Sequence, residues 1–345
     1  MAIYLLGFFI SFFISAFLFV PFINLLYKLK FQRASQETRD AFNKKTPIFD
    51  SFNKHKAGIP VGGGILIIIT TLLCFTLFTF SMLLVGKPVI SNYQSIVSEI
   101  KILLFTFLSF SFLGLYDDLK KIFLWEDTSF FGLKLRHKLL IEIILASIIA
   151  YWMFVELKIH IINIPYLGVY NLSWWYIPFA AFVIVAFSNA VNITDGLDGL
   201  SSGVLLIALF AFWAISLAIL DTPLLVFIAV WIGGLLAFLY FNVYPARLIL
   251  GDTGALSFGA TFAVIGLLLG KVFALALIGG VFVAEITTSF VQLIAKKYLK
   301  RKIFPAAPLH LWLQYKGWEE PKIVMRAWLA AILFATLGLL ISFLK

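Results

Sequence analysis

The chain contains 345 residues, of which 62% are hydrophobic and 13% are charged. Ordinary soluble domains contain roughly 45–50% apolar residues, so this composition excludes a soluble globular enzyme. Phe alone supplies 38 positions, and long uncharged stretches recur along the chain, which indicates a polytopic membrane protein. Cys74 is the single cysteine, so no intrachain disulfide framework holds this fold.

Charged residues divide the sequence into ten apolar segments, each long enough for a transmembrane helix of about 20 residues. The predicted spans lie near 2–27, 60–86, 98–116, 138–156, 172–192, 199–220, 223–242, 253–270, 272–295 and 327–344. Ten such helices use about 200 positions, which leaves little room for a separate soluble domain. We therefore predict an all-α integral membrane protein that forms a single polytopic domain over 1–345, with a short external hairpin in segment 159–171.

The distribution of cations predicts the orientation, because Lys and Arg in short loops stay on the cytoplasmic side. Segments 28–56, 117–138, 243–252 and 296–326 hold 22 of the 27 Lys and Arg residues. With ten spans, this pattern predicts both termini outside and every odd-numbered loop in the cytoplasm. The odd-numbered loops also contain 12 of the 17 acids. One membrane face is thus expected to carry nearly all the ionisable residues. The net charge of +10 mostly reflects this topology. We expect no nucleic-acid partner.

A pair of adjacent carboxylates, Asp117 and Asp118, ends the third predicted span. Two such groups at a membrane boundary repel each other and lose hydration unless a cation lies with them. Magnesium or a nearby lysine would relieve that cost. The alternative is a solvated loop start with a local salt bridge to Lys120 or Lys121.

A second polar run follows the fifth predicted span and contains two Asn and two Asp residues. A continuing helix would bring Asn189, Asn192 and Asp195 to one face, with Asp198 one step further. The alternative is a polar turn between helices, which needs only one or two such residues.

Two further segments on the same predicted face are ambiguous when each is taken alone. Asp252 follows Pro245 and is able to serve as an N-cap of the eighth span, although its position beside the other acids favours a functional interpretation. Gly62, Gly63 and Gly64 open the second span. Their backbone N–H groups are suited to an anion, but such glycines are also common where transmembrane helices pack closely.

The last predicted cytoplasmic loop mixes basic and aromatic residues, as a phosphate-binding or headgroup-facing segment would. It contains His310, a residue type that is more often structural when it stands alone. Glu285 and Gln292 lie seven residues apart on one face of the ninth predicted span, where they line the same cavity or pair within the bundle.

Taken together, these segments resemble the polyprenyl-phosphate N-acetylhexosamine-1-phosphate transferase superfamily, most closely its phospho-N-acetylmuramoyl-pentapeptide transferase branch. The similarity runs from about Lys56 to Trp328. The motifs that carry it are the aspartate pair ending at Lys121, the Asn-Ala-Val-Asn-x-Thr-Asp-Gly-Leu-Asp-Gly run from Asn189, and the segments 251–254, 278–285 and 317–322.

The resemblance implies an enzyme of bacterial cell-wall synthesis in the inner membrane, with ten helices, both termini outside and the active site facing the cytoplasm. Such an enzyme transfers phospho-MurNAc-pentapeptide from a UDP-linked donor to undecaprenyl phosphate in the presence of Mg²⁺. The products are UMP and lipid I, the first lipid-linked peptidoglycan precursor. Covalent attack by an aspartate and direct attack by the lipid phosphate are both compatible with this chemistry, and the family resemblance is also compatible with a homodimer.

The resemblance also implies roles for individual residues. Those expected to be catalytic are Asp117, Asp118, Asp252 and His310. Of these, the three aspartates Asp117, Asp118 and Asp252 are expected to bind the metal. Residues expected to bind the substrates are Lys56, Lys121, Lys138, Asn189, Asn192, Asp195, Asp198 and Gln292.

This chain departs from the family pattern at several donor-recognition positions, which are Val61, Ile249, Leu311, Trp312 and Gln314. A related transferase that uses UDP-GlcNAc or another UDP-sugar is therefore the main alternative. A membrane transporter is a more distant one. The intramembrane acids Glu142 and Glu285 would support it, but most acids lie at one membrane boundary.

Overall fold

The computed structural model describes residues 1–33, 46–86, 88–123, 133 and 135–344. The helices are α1 (Ala2–Lys28), α2 (Pro47–Asn53), α3 (Gly63–Leu84), α4 (Ile96–Phe123), α5 (Leu135–Val155), α6 (Tyr176–Thr194), α7 (Leu200–Ile219), α8 (Thr222–Asn242), α9 (Gly251–Leu268), α10 (Val272–Ile278), α11 (Gly280–Ile294), α12 (Leu309–Tyr315) and α13 (Glu320–Phe343). Two antiparallel strands, β1 (Ile161–Ile164) and β2 (Gly168–Asn171), form the hairpin that the sequence predicts.

The predicted all-α membrane class is confirmed. Within the described ranges, nine helices are long and apolar enough to span a membrane, and the number is ten if α10 and α11 are counted as one span. The ninth predicted span is broken in the structure, because α10 and α11 meet at an angle of 81°. Gly279 lies at this break, where a Cβ atom would come within 2.6 Å of the Phe187 ring. Glycine therefore lets the bend pack closely against α6.

Two helices continue further into the polar segments than their apolar stretches predict. The third span was expected to end at 116, but α4 continues to Phe123, so Asp117 and Asp118 lie on its last turns. Similarly, α13 begins at Glu320 rather than near 327. Neighbouring elements bury charged residues at these helix ends. Hydropathy alone therefore underestimates the length of both helices.

The centre of the bundle is α9, which is buried along its whole length and has α4 and α6 packed against it. Gly114 permits the close approach of α4, since a Cβ there would lie 2.2 Å from the carbonyl oxygen of Asp252. This contact brings the aspartate pair of α4 beside the N-terminus of α9. By contrast, α1 and α13 leave most of their surface uncovered, as helices at the lipid boundary do.

Four of the acids counted in the sequence, Glu37, Asp40, Glu126 and Asp127, lie outside the described residues. The placement of both termini outside remains a prediction.

Candidate active site

Two aspartates and two lysines from three helices meet at one end of the bundle. We call Asp117, Asp252, Lys121 and Lys138 the aspartate–lysine cluster. Lys121 Nζ lies 3.1 Å from Asp117 Oδ2 and 2.6 Å from Asp252 Oδ2. Lys138 Nζ lies 3.1 Å and 2.9 Å from the same two oxygens. Each ammonium group thus bridges the two carboxylates.

The local structure explains how these side chains converge. Asp117 and Lys121 are four residues apart on α4, a spacing that brings side chains to the same helix face. Lys138 lies in the first turn of α5 and Asp252 in the first turn of α9. The backbone N–H of Leu133 also donates to Asp117 Oδ1 at 2.7 Å, which fixes that carboxylate.

Asp118 is adjacent to Asp117 in sequence but has different partners. Its Oδ1 accepts from the backbone N–H of Asp252 at 3.1 Å, and its Oδ2 accepts from the backbone N–H and the hydroxyl of Thr253 at 2.9 Å and 2.8 Å. Asp118 is fully buried. It therefore binds the free N–H groups at the start of α9, in the manner of a helix cap, and holds Asp252 in place.

These contacts bear on the predicted Mg²⁺ site. In the described part of the chain, no group of three or more His, Cys, Asp or Glu side chains is arranged to hold a metal ion. Mg²⁺ in enzymes is often bound by only one or two carboxylates, together with waters and substrate phosphates. Asp117 and Asp252 converge on the same cations and fit this requirement. Asp118 already accepts three hydrogen bonds from the start of α9, and its role as a metal ligand stays a prediction.

A second ionic group joins four polar segments close by. Lys56 Nζ contacts Asp198 Oδ1 at 2.9 Å, Glu320 Oε1 at 2.8 Å and the carbonyl oxygen of Gly196 at 3.1 Å. Asp198 Oδ2 in turn accepts from the backbone N–H of Ala246 at 2.9 Å. We call Lys56, Asp198 and Glu320 the Lys56 network. Both predicted substrate-binding residues in it, Lys56 and Asp198, hold loops together in the structure, and their contact with substrate stays a prediction.

Asp195 caps the C-terminal end of α6, where charges from both ionic groups act on its carboxyl group. Burial raises the pKa of its carboxyl group to about 7, and the negative charges of Asp252 and Asp118 act in the same direction. The positive charges of Lys56 and Arg33 partly oppose this rise.

The other polar residues of α6 differ in their contacts. Asn189 donates through its Nδ2 to Glu142 Oε2 and, at 3.0 Å, to the carbonyl oxygen of Val185. Glu142 is fully buried on α5, one turn after Lys138. Asn192 is half-buried on the same helix. Asn192 therefore lies one turn before Asp195 on α6, and Asn189 lies one turn further back, where it is held by Glu142.

His310 and Gln292 both belong to the contact between α11 and the loop that precedes α12. His310 is buried, and its Nδ1 lies 3.0 Å from Glu285 Oε2. The side chain of Gln292 binds backbone groups of Ile303 and Phe304. Gln292 is predicted to bind substrate; in the structure its amide holds this loop, and a direct contact with substrate stays a prediction.

The glycines that open α3 do not present an anion site. The N–H groups of Gly62 and Gly63 donate to the carbonyl oxygen of Ile249 at 3.1 Å and 2.9 Å, and that of Gly64 donates to the carbonyl oxygen of Leu250 at 2.9 Å. A Cβ on Gly64 would lie 2.4 Å from the backbone of Gly254. The alternative that these glycines serve close helix packing is therefore correct.

Leu311 and Trp312, two of the predicted departures from the family pattern, both lie on α12. Leu311 is buried. The ring of Trp312 lies 5.4 Å from that of Phe304, with Lys316 Nζ above it at 4.6 Å. Apolar and aromatic contacts therefore surround this part of α12.

Three residues of this region were missed as site residues by sequence reasoning. Arg33 was counted only as a topology signal, yet its charge acts on Asp118, Asp195 and Asp252. Glu320 was noted only within a motif, and Glu142 only as an intramembrane acid. The burial of Glu142 was foreseeable because such acids usually face the bundle, whereas nothing in the sequence indicated which partners Arg33 and Glu320 meet.

The chain is similar to known proteins over most of its length. Residues 100–270 match the family model described as glycosyl transferase family 4. The phospho-N-acetylmuramoyl-pentapeptide-transferases of Bacillus pumilus and Bacillus subtilis are each 33% identical over 343 residues, which cover 98% of this chain and 96% of theirs. The Clostridium perfringens (strain 13 / Type A) protein of the same name is 35% identical over 317 residues, or 91% of each chain. The resemblance is confirmed, and the chain belongs to the phospho-N-acetylmuramoyl-pentapeptide-transferase family.

Proposed function

We propose that this chain transfers phospho-MurNAc-pentapeptide from its UDP-linked donor to undecaprenyl phosphate at the cytoplasmic face of the bacterial inner membrane. In this reaction an oxygen of the lipid phosphate forms a bond to the β-phosphorus of the donor. The bond between that phosphorus and the bridging oxygen breaks, and UMP leaves with the bridging oxygen. The product is lipid I.

The observation that carries this proposal is the aspartate–lysine cluster in a chain that shares 33–35% identity with these transferases over at least 91% of its length. Phosphoryl transfer depends mainly on alignment of the reactants and on neutralisation of phosphate charge. Asp117 and Asp252 would hold Mg²⁺, which supplies positive charge to the diphosphate when it is bound. Lys121 and Lys138 are partly accessible, with 15% and 10% of their side chains exposed, and would contact phosphate oxygens.

The remaining polar residues would position the substrates. Asp118 fixes the backbone of Asp252 at the start of α9. Asn192 and Asp195 would contact the nucleotide-sugar at the end of α6, and the charge of Arg33 would add to the attraction for a dianionic diphosphate. The aromatic and aliphatic surface of the surrounding helices would hold the polyprenyl chain of the acceptor in the bilayer.

A related transferase specific for UDP-GlcNAc is the second candidate. The observation that favours it is the apolar packing of Leu311 and Trp312 at positions where the family pattern has polar side chains. A pocket with fewer polar groups would recognise a smaller donor that lacks the peptide.

The test is UMP release by the purified protein in detergent with Mg²⁺ and undecaprenyl phosphate, with UDP-MurNAc-pentapeptide and UDP-GlcNAc compared as donors. Release with the muramyl donor alone is the expected result. Release with UDP-GlcNAc alone would support the second candidate. The absence of release with both donors would contradict both candidates.

A further inference from the structure

Two side chains of α11 hold the segment that follows this helix, one at the middle of the connection to α12 and one at the start of α12. Gln292 Oε1 accepts from the backbone N–H groups of Ile303 and Phe304 at 3.1 Å and 3.0 Å, and its Nε2 donates to the carbonyl oxygen of Phe304 at 2.8 Å. Two turns earlier on α11, Glu285 Oε1 accepts from the backbone N–H of His310 at 3.1 Å. Side chains of α11 therefore fix the position of His310.

Glu285 also binds the imidazole ring itself. Its Oε2 lies 3.0 Å from His310 Nδ1, and the exposed fraction of both side chains is 4% or less. An ionised carboxylate only accepts hydrogen bonds, so Nδ1 carries the proton of this contact. A neutral imidazole has a single N–H. The Nε2 atom of a neutral His310 is therefore an unprotonated acceptor.

The Nε2 atom faces the turn that joins α6 to α7. A Cβ atom at Gly196 would lie 2.5 Å from Nε2 and 3.0 Å from Cε1, so only glycine leaves room for the ring in this position. Gly196 directly follows Asp195, and its carbonyl oxygen accepts from Lys56 Nζ. The ring nitrogen is thus directed to the polar turn beside Asp195.

We propose that Glu285 is a positioning residue that fixes His310 in the Nδ1–H tautomer, so that Nε2 is presented at the Asp195–Gly196 turn as a hydrogen-bond acceptor for the nucleotide-sugar. The carboxylate acts through the histidine and does not itself contact substrate. A carboxylate that orients a histidine and selects its tautomer is a recurrent device in enzymes. This inference rests on the proposed function, because the group that binds Nε2 is taken from the nucleotide-sugar.

The tautomer is measured directly by ¹⁵N NMR of ¹⁵N-histidine-labelled protein in detergent. The chain has four His residues, and the spectrum of His310→Gln identifies the signals of His310. At a pH where the ring is neutral, the wild type is expected to show protonated Nδ1 and unprotonated Nε2. Glu285→Gln is expected to show a mixture of tautomers, because a carboxamide both donates and accepts. Protonated Nε2 in the wild type would overturn the proposal without any variant.

Steady-state UMP release separates positioning from simple support of the loop. Glu285→Gln is expected to raise KM for the UDP-linked donor by about tenfold with little change in kcat, because a hydrogen bond to the bound donor is lost. Gln292→Ala is the matched control, since it releases the middle of the same segment but leaves the carboxylate on the ring. It is expected to retain the Nδ1–H tautomer. Wild-type tautomer and wild-type KM in Glu285→Gln would overturn the proposal.

A failure of the proposed function would be recognised separately. In that case even the wild type releases no UMP, while the NMR measurement still reports whether Glu285 fixes the tautomer of His310.

Discussion

The aspartate–lysine cluster and the Lys56 network contain the same kinds of charged group, yet their partners differ. In the cluster, Lys121 and Lys138 each contact two carboxylates, and one backbone N–H group, that of Leu133, donates to Asp117. In the network, Lys56 also donates to the carbonyl oxygen of Gly196. Both network carboxylates accept from backbone N–H groups, with Asp198 bound to Ala246 and Glu320 Oε1 accepting from the N–H of Asp198 at 2.6 Å.

This difference indicates which of the two, the aspartate–lysine cluster or the Lys56 network, is able to exchange its partners. A lysine that contacts only carboxylates is able to move to a phosphate when a divalent cation replaces it at the aspartates. A carboxylate that also satisfies buried backbone groups cannot leave without exposing them, and an unsatisfied buried group costs about 1–3 kcal/mol. The cluster is therefore suited to chemistry and the network to holding loops.

The largest expected effect is on turnover when the cluster is broken. Asp252→Asn removes one of the two converging carboxylates and should reduce the rate of UMP release by about 100-fold or more, as loss of a preorganised electrostatic group does. Thermal unfolding in detergent should change little, because Asp118 still binds the start of α9. Glu156→Gln is the control, as Glu156 pairs with Lys101 outside the site. Full activity of Asp252→Asn would refute the site.

The opposite pattern is expected when the network is broken. Lys56→Ala leaves two buried carboxylates without their cation, and loss of one partner from a buried ion pair costs about 3–5 kcal/mol. Its free energy of unfolding should fall by about that amount. Lys101→Ala, which removes a lysine whose side chain is 41% exposed, should have a much smaller effect. Equal stability of these two variants would contradict a structural role for the network.

Asp118 provides a further test of this comparison, because it lies beside the aspartate–lysine cluster but binds backbone N–H groups. Asp118→Asn keeps one acceptor and loses the other, so we expect a decrease of about 1–3 kcal/mol in the free energy of unfolding. The binding of a divalent cation should be retained. Loss of cation binding at unchanged stability would instead identify Asp118 as a metal ligand.

A separate expected effect is a pH dependence of stability that comes from Asp195. Its pKa is about 7 in the folded chain and 3.8 for an ordinary aspartate, so between about pH 4 and 7 the folded state binds more protons than the unfolded state. Stability should therefore decrease as the pH rises through this window. Thermal unfolding of the metal-free protein should show a shallower decrease in Asp195→Asn than in the wild type. Identical slopes would contradict the raised pKa.

Hydropathy and charge predicted the class of fold well, because a span needs about 20 apolar residues whatever its partners. The bend at Gly279 was not predictable in this way, since both α10 and α11 are apolar and no proline marks the break. The extension of α4 was missed for a related reason. Its last turns carry charges that are buried only by contact with α5 and α9.

The location of the candidate site was predictable from the acids on one predicted membrane face. The roles of its individual residues were not predictable in this way. Asp117 and Asp118 are neighbours in sequence, and successive residues of a helix point in different directions, so one meets lysines and the other meets α9. The partners of Gly62, Gln292 and Lys56 depend on loops that pack against them from distant parts of the chain. Spacing along the sequence carries no information about such contacts.

The most direct test of the central claim is the binding of Mn²⁺, a spectroscopically visible substitute for Mg²⁺, measured by electron paramagnetic resonance on purified protein. The wild type, Glu156→Gln and Asp118→Asn are expected to bind the ion, whereas Asp252→Asn is expected to lose it. Unchanged binding in Asp252→Asn would contradict the assignment of the exchangeable cation site to the aspartate–lysine cluster.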